Sequence, residues 1–365
     1  MSADGRSSGR MDRLLDALWT AGGSDLLVTA GLEPQMRVNG DLVPVPEAAV
    51  LTTDDTQSLL AELLSPDQLE VFAGRHEYDF SFSWGHEARI RGNAFRQRGS
   101  IAIALRLIAY DIPTMADLEC PAIFHSFVEL HQGLVLVTGP TGSGKSTTLA
   151  AVINSINAER ACHIITIEDP IEYVYRHNLS VVNQRQVGID TESFASALRS
   201  SLRENPDVLL VGELRDLESI RSALTLAETG HLVFATLHTK DTSHAAARII
   251  DVFPGDEQPQ VRVQLAATLT AIVYQQLLPR LGGGMVAAYE VLVANTAVRN
   301  LIKEGKTHQL RNCLLQGQRE GMNSFEQSLT ALILSGAISY EEGLARSLHP
   351  ADVHPAPRAN IRVPA

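Results

Sequence analysis

The chain has 365 residues, enough for two domains of ordinary size. Hydrophobic residues make up 45% of it and charged residues 20%, which excludes a mainly disordered protein. The 30 basic and 42 acidic residues give a net charge of −12, which disfavours binding of duplex nucleic acid over a broad basic face.

The cysteines and the apolar segments indicate the compartment. Cys120, Cys162 and Cys313 stand far apart, which suits a reducing environment and excludes a four-cysteine zinc site. The longest uncharged run, 263–279, contains several polar residues and is shorter than the ~20 apolar residues of a membrane-spanning helix. The sequence therefore predicts a cytoplasmic protein without direct membrane insertion.

Composition and periodicity divide the chain into five segments. Residues 1–10 are polar and rich in Gly and Ser, and residues 349–365 are rich in Pro and Ala, so both ends are predicted to be disordered. Between them lie an N-terminal domain at 11–108, a Pro-containing linker at 109–121 and a second domain at 122–348.

The N-terminal domain is predicted to be an α+β module with a largely antiparallel sheet. Asn39-Gly40 and Arg98-Gly99 are turn signals typical of hairpins. Helices are predicted at 11–21 and 54–64. Strands are predicted at 35–38, 42–45, 78–84, 88–95 and 101–107.

The second domain shows unbroken apolar runs that alternate with helical segments, a pattern typical of parallel strands buried on both faces. Its strands are predicted at 134–138, 164–167, 208–211 and 232–236. Its helices are predicted at 147–158, 193–204 and 216–229, the last with Asp216 as N-cap and Gly230 after its end. Beyond residue 236, helices are predicted to dominate, interrupted by three glycines at 282–284 and an apolar stretch at 286–292.

A phosphate-binding motif follows the first of these strands. The segment from Gly139 to Ser146 fits G-x-x-x-x-G-K-[ST] between a strand and a helix, a context that a chance Gly-rich turn would lack. Backbone N–H groups and the helix N-terminus suit phosphate oxygens, Lys145 would reach the β- and γ-phosphates, and Ser146 would bind Mg²⁺. The predicted nucleotide-binding residues here are Gly139, Pro140, Thr141, Gly142, Ser143, Gly144, Lys145, Ser146 and Thr147.

Polar residues also follow the other three predicted strands. Glu168, Glu213 and His238 each lie just past the end of one apolar run. Because ligands bind outside the carboxyl ends of the strands in an open parallel sheet, these side chains are expected to gather with Lys145 around one γ-phosphate. Taken alone, the acidic pair Glu168-Asp169 is also consistent with a solvated turn.

These residues receive separate predicted roles. Glu213 is the predicted carboxylate that orients or deprotonates the attacking water. Gly212 stands where an ordinary Walker B motif has a metal-binding Asp, so the remaining Mg²⁺ contacts would come through water, Glu213 or Glu168. His238 is predicted to sense the γ-phosphate. His231, seven residues earlier and on the opposite strand face, is either structural or a nucleotide contact.

These motifs resemble those of secretion-superfamily ATPases. The superfamily's Walker A, Asp-box, Walker B and His-box motifs are matched by residues 139–147, 165–172, 197–216 and 228–239. SDLLVTAGLEPQMRVNGDL at 24–42 and AVRNLIKE at 297–304 are similar to segments of the PilT family of type IV pilus retraction ATPases. The similarity extends from about residue 11 to residue 345.

The resemblance implies an α/β fold, in which a RecA-like P-loop ATPase domain follows a smaller PAS-like α+β domain. It further implies a homo-hexameric, Mg²⁺-dependent ATP motor for pilus retraction and twitching motility. Such a motor would be held at the inner membrane by the pilus platform protein, with other pilus motor ATPases as candidate partners. Arg91 and Arg106 match arginines that reach the nucleotide from the N-terminal domain, although they also fit ordinary cations on a sheet surface. Arg199 and Arg203, four residues apart on one helix face, are further candidates.

Alternatives remain open on the residues alone. The element at 297–304 is also an amphipathic helix in its own right, with Val298, Leu301 and Ile302 inward and Arg299 outward. An accessory ATP-binding subunit of the pilus motor fits the same motifs, as does a pilus-assembly or type II secretion ATPase. A nucleic-acid translocase is disfavoured by the acidic balance and by an aromatic content of 5%.

Overall fold

The computed structural model describes residues 9–38, 40–85, 88–109 and 111–355. The chain divides into two compact units, Met1–Asp111 and Ile112–Ala365. Most of the segment predicted as a linker therefore belongs to the second unit, where Met115 is buried beside Phe124 in the core. Moving an apolar side chain out of water lowers the free energy, which explains why this Pro-containing segment packs against the core of the second unit.

The first unit is built on a six-stranded antiparallel sheet with strand order β3-β2-β1-β6-β5-β4. Its elements are α1 (Arg10–Thr20), β1 (Asp25–Thr29), β2 (Gln35–Val38), β3 (Asp41–Pro44), α2 (Thr53–Leu63), α3 (Pro66–Arg75), β4 (Glu77–Trp84), β5 (Ala88–Gln97) and β6 (Ser100–Ala109). The predicted α+β class and antiparallel pairing are confirmed, whereas β1 and α3 are additional elements that the sequence pattern does not reveal.

One face of this sheet is buried and the other is more exposed. Leu26, Ile90 and Leu105 are buried in one core together with Leu15 and Leu18 of α1. Fully burying a side chain of this size contributes about 1.5–3 kcal/mol, so alternation along each strand decides which face is covered. The predicted hairpin turn at Arg98-Gly99 is present, with φ of 47° and 78°. Asn39, half of the other predicted turn, lies outside the described residues.

The second unit contains a seven-stranded sheet with strand order β13-β12-β7-β11-β10-β8-β9. Its strands are β7 (Gly133–Thr138), β8 (His163–Glu168), β9 (Val181–Gln186), β10 (Val208–Val211), β11 (Leu232–Leu237), β12 (Leu269–Pro279) and β13 (Met285–Val293). Its helices are α4 (Ile123–Glu129), α5 (Lys145–Glu159), α6 (Phe194–Ser201), α7 (Leu217–Glu228), α8 (Thr242–Asp251), α9 (Gln258–Thr268), α10 (Thr296–Lys303), α11 (Leu310–Gln316), α12 (Phe325–Leu334) and α13 (Tyr340–Arg346).

The register of the parallel strands brings their carboxyl ends to one edge. Thr138 of β7 pairs with Leu237 of β11, and Val211 of β10 pairs with both Ala235 of β11 and Ile167 of β8. Every residue of β7, β10 and β11 is buried, which explains their unbroken apolar runs. The chain segments that leave these strands therefore start side by side.

The helices of this unit follow local signals where those are strong. Asp216 caps α7, because its Oδ1 accepts a hydrogen bond of 2.9 Å from the N–H of Ser219, and Gly230 follows the helix with φ of 99°. Both predicted helix ends are confirmed. In α10, Val298 and Ile302 are buried as predicted.

Arg299 is a correction, because it does not point outward. Its Nε donates to the carbonyl of Ala294 and its Nη1 to that of Ala267, both at 2.8 Å. The second carbonyl belongs to the last turn of α9, where a cation satisfies otherwise unpaired carbonyl oxygens.

Two further corrections concern the C-terminal third of the chain. Residues 269–279, predicted among helices, form β12, which lies parallel to β7. The tail predicted to be disordered from residue 349 is partly packed, since Val353 is 3% exposed and Asp352 binds Arg311 at 2.8 Å. Among the described residues, no helix is long and apolar enough to cross a membrane.

Candidate active site

The predicted phosphate loop connects β7 to α5 and requires glycine at its ends. Gly139 has a φ of 148°, and a Cβ there would lie 2.1 Å from the carbonyl oxygen of Gln275. Gly144 has a φ of 83°, and a Cβ there would lie 2.9 Å from Nε2 of Gln275. The glycines therefore satisfy both the left-handed backbone and the close approach of β12.

Lys145, the first residue of α5, is directed back into this loop. Its Nζ donates to the carbonyl oxygens of Gly139 and Pro140, each at 2.9 Å. Burial lowers the pKa of Lys145, while the charges of Glu213 and Glu172 act in the opposite direction. The ammonium group is thus held by weak neutral acceptors at the mouth of the loop.

The loop also contains an unused polar group. Ser143 is buried, and within the described part of the chain its Oγ has no hydrogen-bond partner. A buried hydroxyl without a partner is costly, so a phosphate oxygen entering the loop would relieve that cost. This observation, together with the helix N-terminus at Lys145, fits the loop to a nucleotide phosphate.

Glu168 ends β8 as a buried carboxylate with 8% of its surface exposed. Its Oε1 accepts hydrogen bonds from Thr166 Oγ1 at 2.6 Å and from Gln184 Nε2 at 3.1 Å. Burial raises the pKa of Glu168, although these hydrogen bonds favour its charged form and partly oppose the effect. It is therefore not part of a solvated turn.

Glu213 lies after β10 and contacts two side chains of the site. Its Oε2 is 2.8 Å from Arg215 Nη2, and its Oε1 is 3.5 Å from His238 Nε2. Burial alone would raise the pKa of Glu213, but the hydrogen bond from Arg215 and the charges of His238, Arg215 and Lys145 outweigh it, so the pKa is lowered. Glu213 is thus an anion at neutral pH.

A cavity of about 500 Å³ joins these groups at the carboxyl edge of the sheet. Its lining includes Glu168, Glu213 and His238 from three different strand ends. From the phosphate loop and α5 it includes Thr141, Gly142, Ser143, Gly144, Lys145, Ser146 and Thr147. The expected convergence of Lys145 with these strand-end residues is therefore observed.

His231 is not brought to this cavity. It precedes β11 at the amino edge of the sheet, where its Nδ1 lies 2.9 Å from the carbonyl oxygen of Leu226 and 3.1 Å from Thr229 Oγ1. The interpretation of His231 as a contact of the nucleotide in this cavity is therefore wrong for this arrangement of the chain. Of the two interpretations of this residue, the structural one agrees with its contacts.

The predicted arginines fall into two groups. Arg91 and Arg106 belong to the first unit and stand directly opposite each other on β5 and β6, where Arg106 Nε is 2.7 Å from Asp25 Oδ1. Arg199 belongs to the second unit and forms an ion pair with Glu218 on the surface. Neither Arg199 nor the exposed Arg203 lines the cavity described above.

Several lining residues escape prediction from the sequence. Arg215, Glu172 and Tyr173 border the cavity, and the Tyr173 hydroxyl is 2.9 Å from Thr147 Oγ1. Arg215 lies two residues after Glu213, so its position just past a buried strand was the available signal. Tyr173 had no such signal, because it lies in the irregular segment between β8 and β9.

Comparisons with known proteins identify the family of this chain. The type II/IV secretion system protein family matches residues 104–285. The type IV pilus retractation ATPase PilT of Pseudomonas aeruginosa is 44% identical over 329 residues, which cover 90% of this chain and 95% of that protein. The type IV pilus ATPase PilU of the same organism is 41% identical over 337 residues, covering 92% and 88%.

A solved structure is similar over nearly its whole length. The crystal structure of the pilus retraction motor PilT with bound ADP gives a TM-score of 0.89 at 43% identity, covering 95% of this chain and 99% of that one. The chain therefore belongs to the PilT-type secretion ATPases, enzymes that hydrolyse ATP. The predicted fold class, a RecA-like ATPase domain after a smaller PAS-like domain, is confirmed.

Proposed function

We propose that this protein is a hexameric, Mg²⁺-dependent ATPase motor that powers type IV pilus retraction and twitching motility. The observation that carries the proposal is the single cavity shared by the phosphate loop, Glu168, Glu213 and His238. Support for retraction comes from the PilT relatives, which are named for pilus retraction and are similar over nearly the whole chain.

In this mechanism, Glu213 orients the attacking water and accepts its proton. Phosphoryl transfer depends mainly on positioning and on stabilisation of charge, and an ionised carboxylate beside the loop supplies the first. Lys145 leaves its carbonyl partners and binds the β- and γ-phosphates. His238, 3.5 Å from Glu213, contacts the γ-phosphate and reports its presence to the helix that follows β11.

The donor set of the cavity also suits Mg²⁺, an ion that prefers oxygen ligands and retains several waters. The Ser146 hydroxyl at the first turn of α5 would hold it, with Glu168 or Glu213 contributing directly or through water. When bound, the ion neutralises charge on the phosphates. The remaining nucleotide-binding residues are those of the loop, 139–144, and Thr147.

The motor itself would be a homo-hexameric ring. Arg91 and Arg106 would reach the nucleotide of the same or a neighbouring subunit, and bound nucleotide would bias the motor between two arrangements. The ring would lie in the cytoplasm against the inner membrane, docked on the pilus platform protein, with other pilus motor ATPases as partners.

Deletion of the gene tests the direction of work. Cells that keep surface pili but lose twitching support retraction, and complementation by the wild-type chain but not by Lys145→Ala ties the phenotype to the nucleotide site. Bald cells would indicate an assembly ATPase instead. The mass of the purified protein with nucleotide and Mg²⁺ tests the ring, and a particle of fewer than six copies would contradict it.

An accessory subunit is the second candidate. The relative named only as a type IV pilus ATPase matches almost as well as the one named for retraction, at 41% against 44% identity. Very slow turnover by the isolated protein, together with loss of twitching only in cells that contain a second motor ATPase, would favour this role.

A further inference from the structure

Arg215 occupies an unusual place in the cavity. It lies in the segment between β10 and α7, its side chain is 71% exposed, and it borders the same space as the phosphate loop. Its Nη2 is bound to Oε2 of Glu213 at 2.8 Å. A highly exposed cation is thus held on the acid that the mechanism needs as a base.

The two cations that border the cavity share one property: each is held by a group of the protein. Lys145 is bound to the carbonyls of Gly139 and Pro140, and Arg215 to the carboxylate of Glu213. Both contacts are made by flexible side chains that end at the cavity. Both can therefore be exchanged for a more highly charged acceptor without moving a strand.

We propose that Arg215 is a phosphate-binding catalytic residue that acts within its own subunit. In the state described here it masks Glu213, and when ATP binds, its guanidinium moves to the terminal phosphate. This inference rests on the proposed function of the site. One movement then does two things: it stabilises charge on the phosphate and it releases Glu213 to accept a proton from water.

Electrostatics favour this exchange. A terminal phosphate offers several charged oxygens to the planar guanidinium fork, whereas Glu213 offers one carboxylate that also interacts with His238 and Lys145. While Arg215 Nη2 stays 2.8 Å from Glu213 Oε2, that carboxylate oxygen is occupied and is less available to accept a proton from water. The charge of Asp169 also acts on Arg215, which makes Asp169 a competing acceptor.

The exchange predicts discrimination between nucleotides. ADP lacks the terminal phosphate, so its binding leaves Arg215 on Glu213. Arg215→Ala is therefore expected to weaken binding of the non-hydrolysable analogue AMP-PNP by about 10- to 100-fold, as expected for loss of a hydrogen bond to a charged group. ADP affinity is expected to change by less than about twofold, because a surface ion pair contributes little.

The experiment measures equilibrium binding of ADP and AMP-PNP with Mg²⁺, and steady-state ATP turnover, for the wild type, Arg215→Ala, Arg215→Lys and Arg221→Ala. Turnover by Arg215→Ala should fall about 10²-fold, the usual loss for one donor to a developing charge. Arg215→Lys should recover part of the AMP-PNP affinity, since it keeps the charge without the fork. Arg221 of α7 is bound to Glu257 and lies outside the cavity, so it is the matched control and should behave as the wild type.

The outcomes separate this inference from the proposed function. Equal losses for ADP and AMP-PNP, or no loss for either, would overturn the role of Arg215 while the wild-type enzyme still turned over ATP. A wild-type protein that neither binds nor hydrolyses ATP would overturn both. Unchanged circular dichroism and thermal unfolding of Arg215→Ala would show that its exposed side chain is not needed for folding.

Discussion

The two edges of the seven-stranded sheet carry similar residue types and use them differently. At the amino edge, Asp207 Oδ2 accepts the backbone N–H of His163 at 2.8 Å, and His231 is bonded to a helix carbonyl. At the carboxyl edge, Glu213 and His238 contact each other and border the cavity. An acid and a histidine therefore bind backbone groups at one edge, whereas at the other edge they border the cavity.

The difference follows from strand direction. A helix or loop leads into each parallel strand at its amino end. Side chains at this edge, such as Asp207 and His231, form hydrogen bonds with backbone groups of neighbouring segments. At the carboxyl end the chain diverges into the next helix, which leaves an open crevice with helix N-termini around it. A polar residue after a buried strand is thus a better indicator of function than one before it.

The sharpest test compares the two ends of β10. Glu213→Gln should lower kcat by about 10²- to 10⁴-fold, because the amide cannot accept the proton of the attacking water. Asp207→Asn, at the amino end, keeps an acceptor for the N–H of His163 and should leave kcat unchanged. The measurement is phosphate release by the purified proteins. Similar rates for Glu213→Gln and the wild type would remove Glu213 from its role.

The same comparison can be made on β11 with a smaller effect. His238→Ala should lower ATP turnover about 10-fold, the loss of one hydrogen bond to a charged phosphate. His231→Ala should leave turnover unchanged and lower the free energy of unfolding by about 1 kcal/mol, through the lost bond to Leu226. Turnover assays and denaturant titrations check both. A large loss of turnover in His231→Ala would erase the distinction between the edges.

The smallest expected effect concerns stability at the carboxyl edge. Because burial raises the pKa of Glu168, the folded state holds this proton more tightly than the unfolded state, so the free energy of unfolding falls as pH rises from 4.5 through the raised pKa. Glu168→Gln has no such proton to lose and can still accept the bonds from Thr166 and Gln184.

Glu168→Gln is therefore expected to be more stable than the wild type at pH 8, by on the order of 1 kcal/mol, and equal to it near pH 4. Thermal unfolding in buffer without nucleotide or Mg²⁺ measures the difference. A constant difference at all pH values would show that packing, not ionisation, is responsible. The same variant should lose ATPase activity, because a residue tuned for function is commonly costly to stability.

Much of the catalytic unit could be predicted because its signals are local. The strands β7, β8, β10 and β11 are strongly apolar, and the glycines of the phosphate loop leave few alternatives. The order of strand, turn and helix then brings Lys145, Glu168 and Glu213 to one edge by strand polarity alone.

Other features could not be predicted, because the sequence signal is ambiguous. A buried apolar run such as 269–279 fits a helix or a strand, and its pairing with β7 decides between them. The periodicity of α10 predicts Arg299 on its polar, outward face, yet the guanidinium donates to a backbone carbonyl at the end of α9. Val353 lies within the Pro- and Ala-rich C-terminal segment, yet its side chain is buried in an apolar cluster with residues of α12.

The sequence by itself determined that the protein carries a phosphate-binding loop and that β7, β8, β10 and β11 are buried strands alternating with helices, since both depend on residues that are adjacent in the chain. Only the tertiary structure decided that Gln275 of β12 lies under the loop, that Arg215 holds Glu213, and that His231 stays away from the cavity. The reason is physical: hydrophobic burial is non-directional and follows periodicity, whereas a charge or hydrogen bond acts over a few ångströms and depends on which distant groups packing brings within reach.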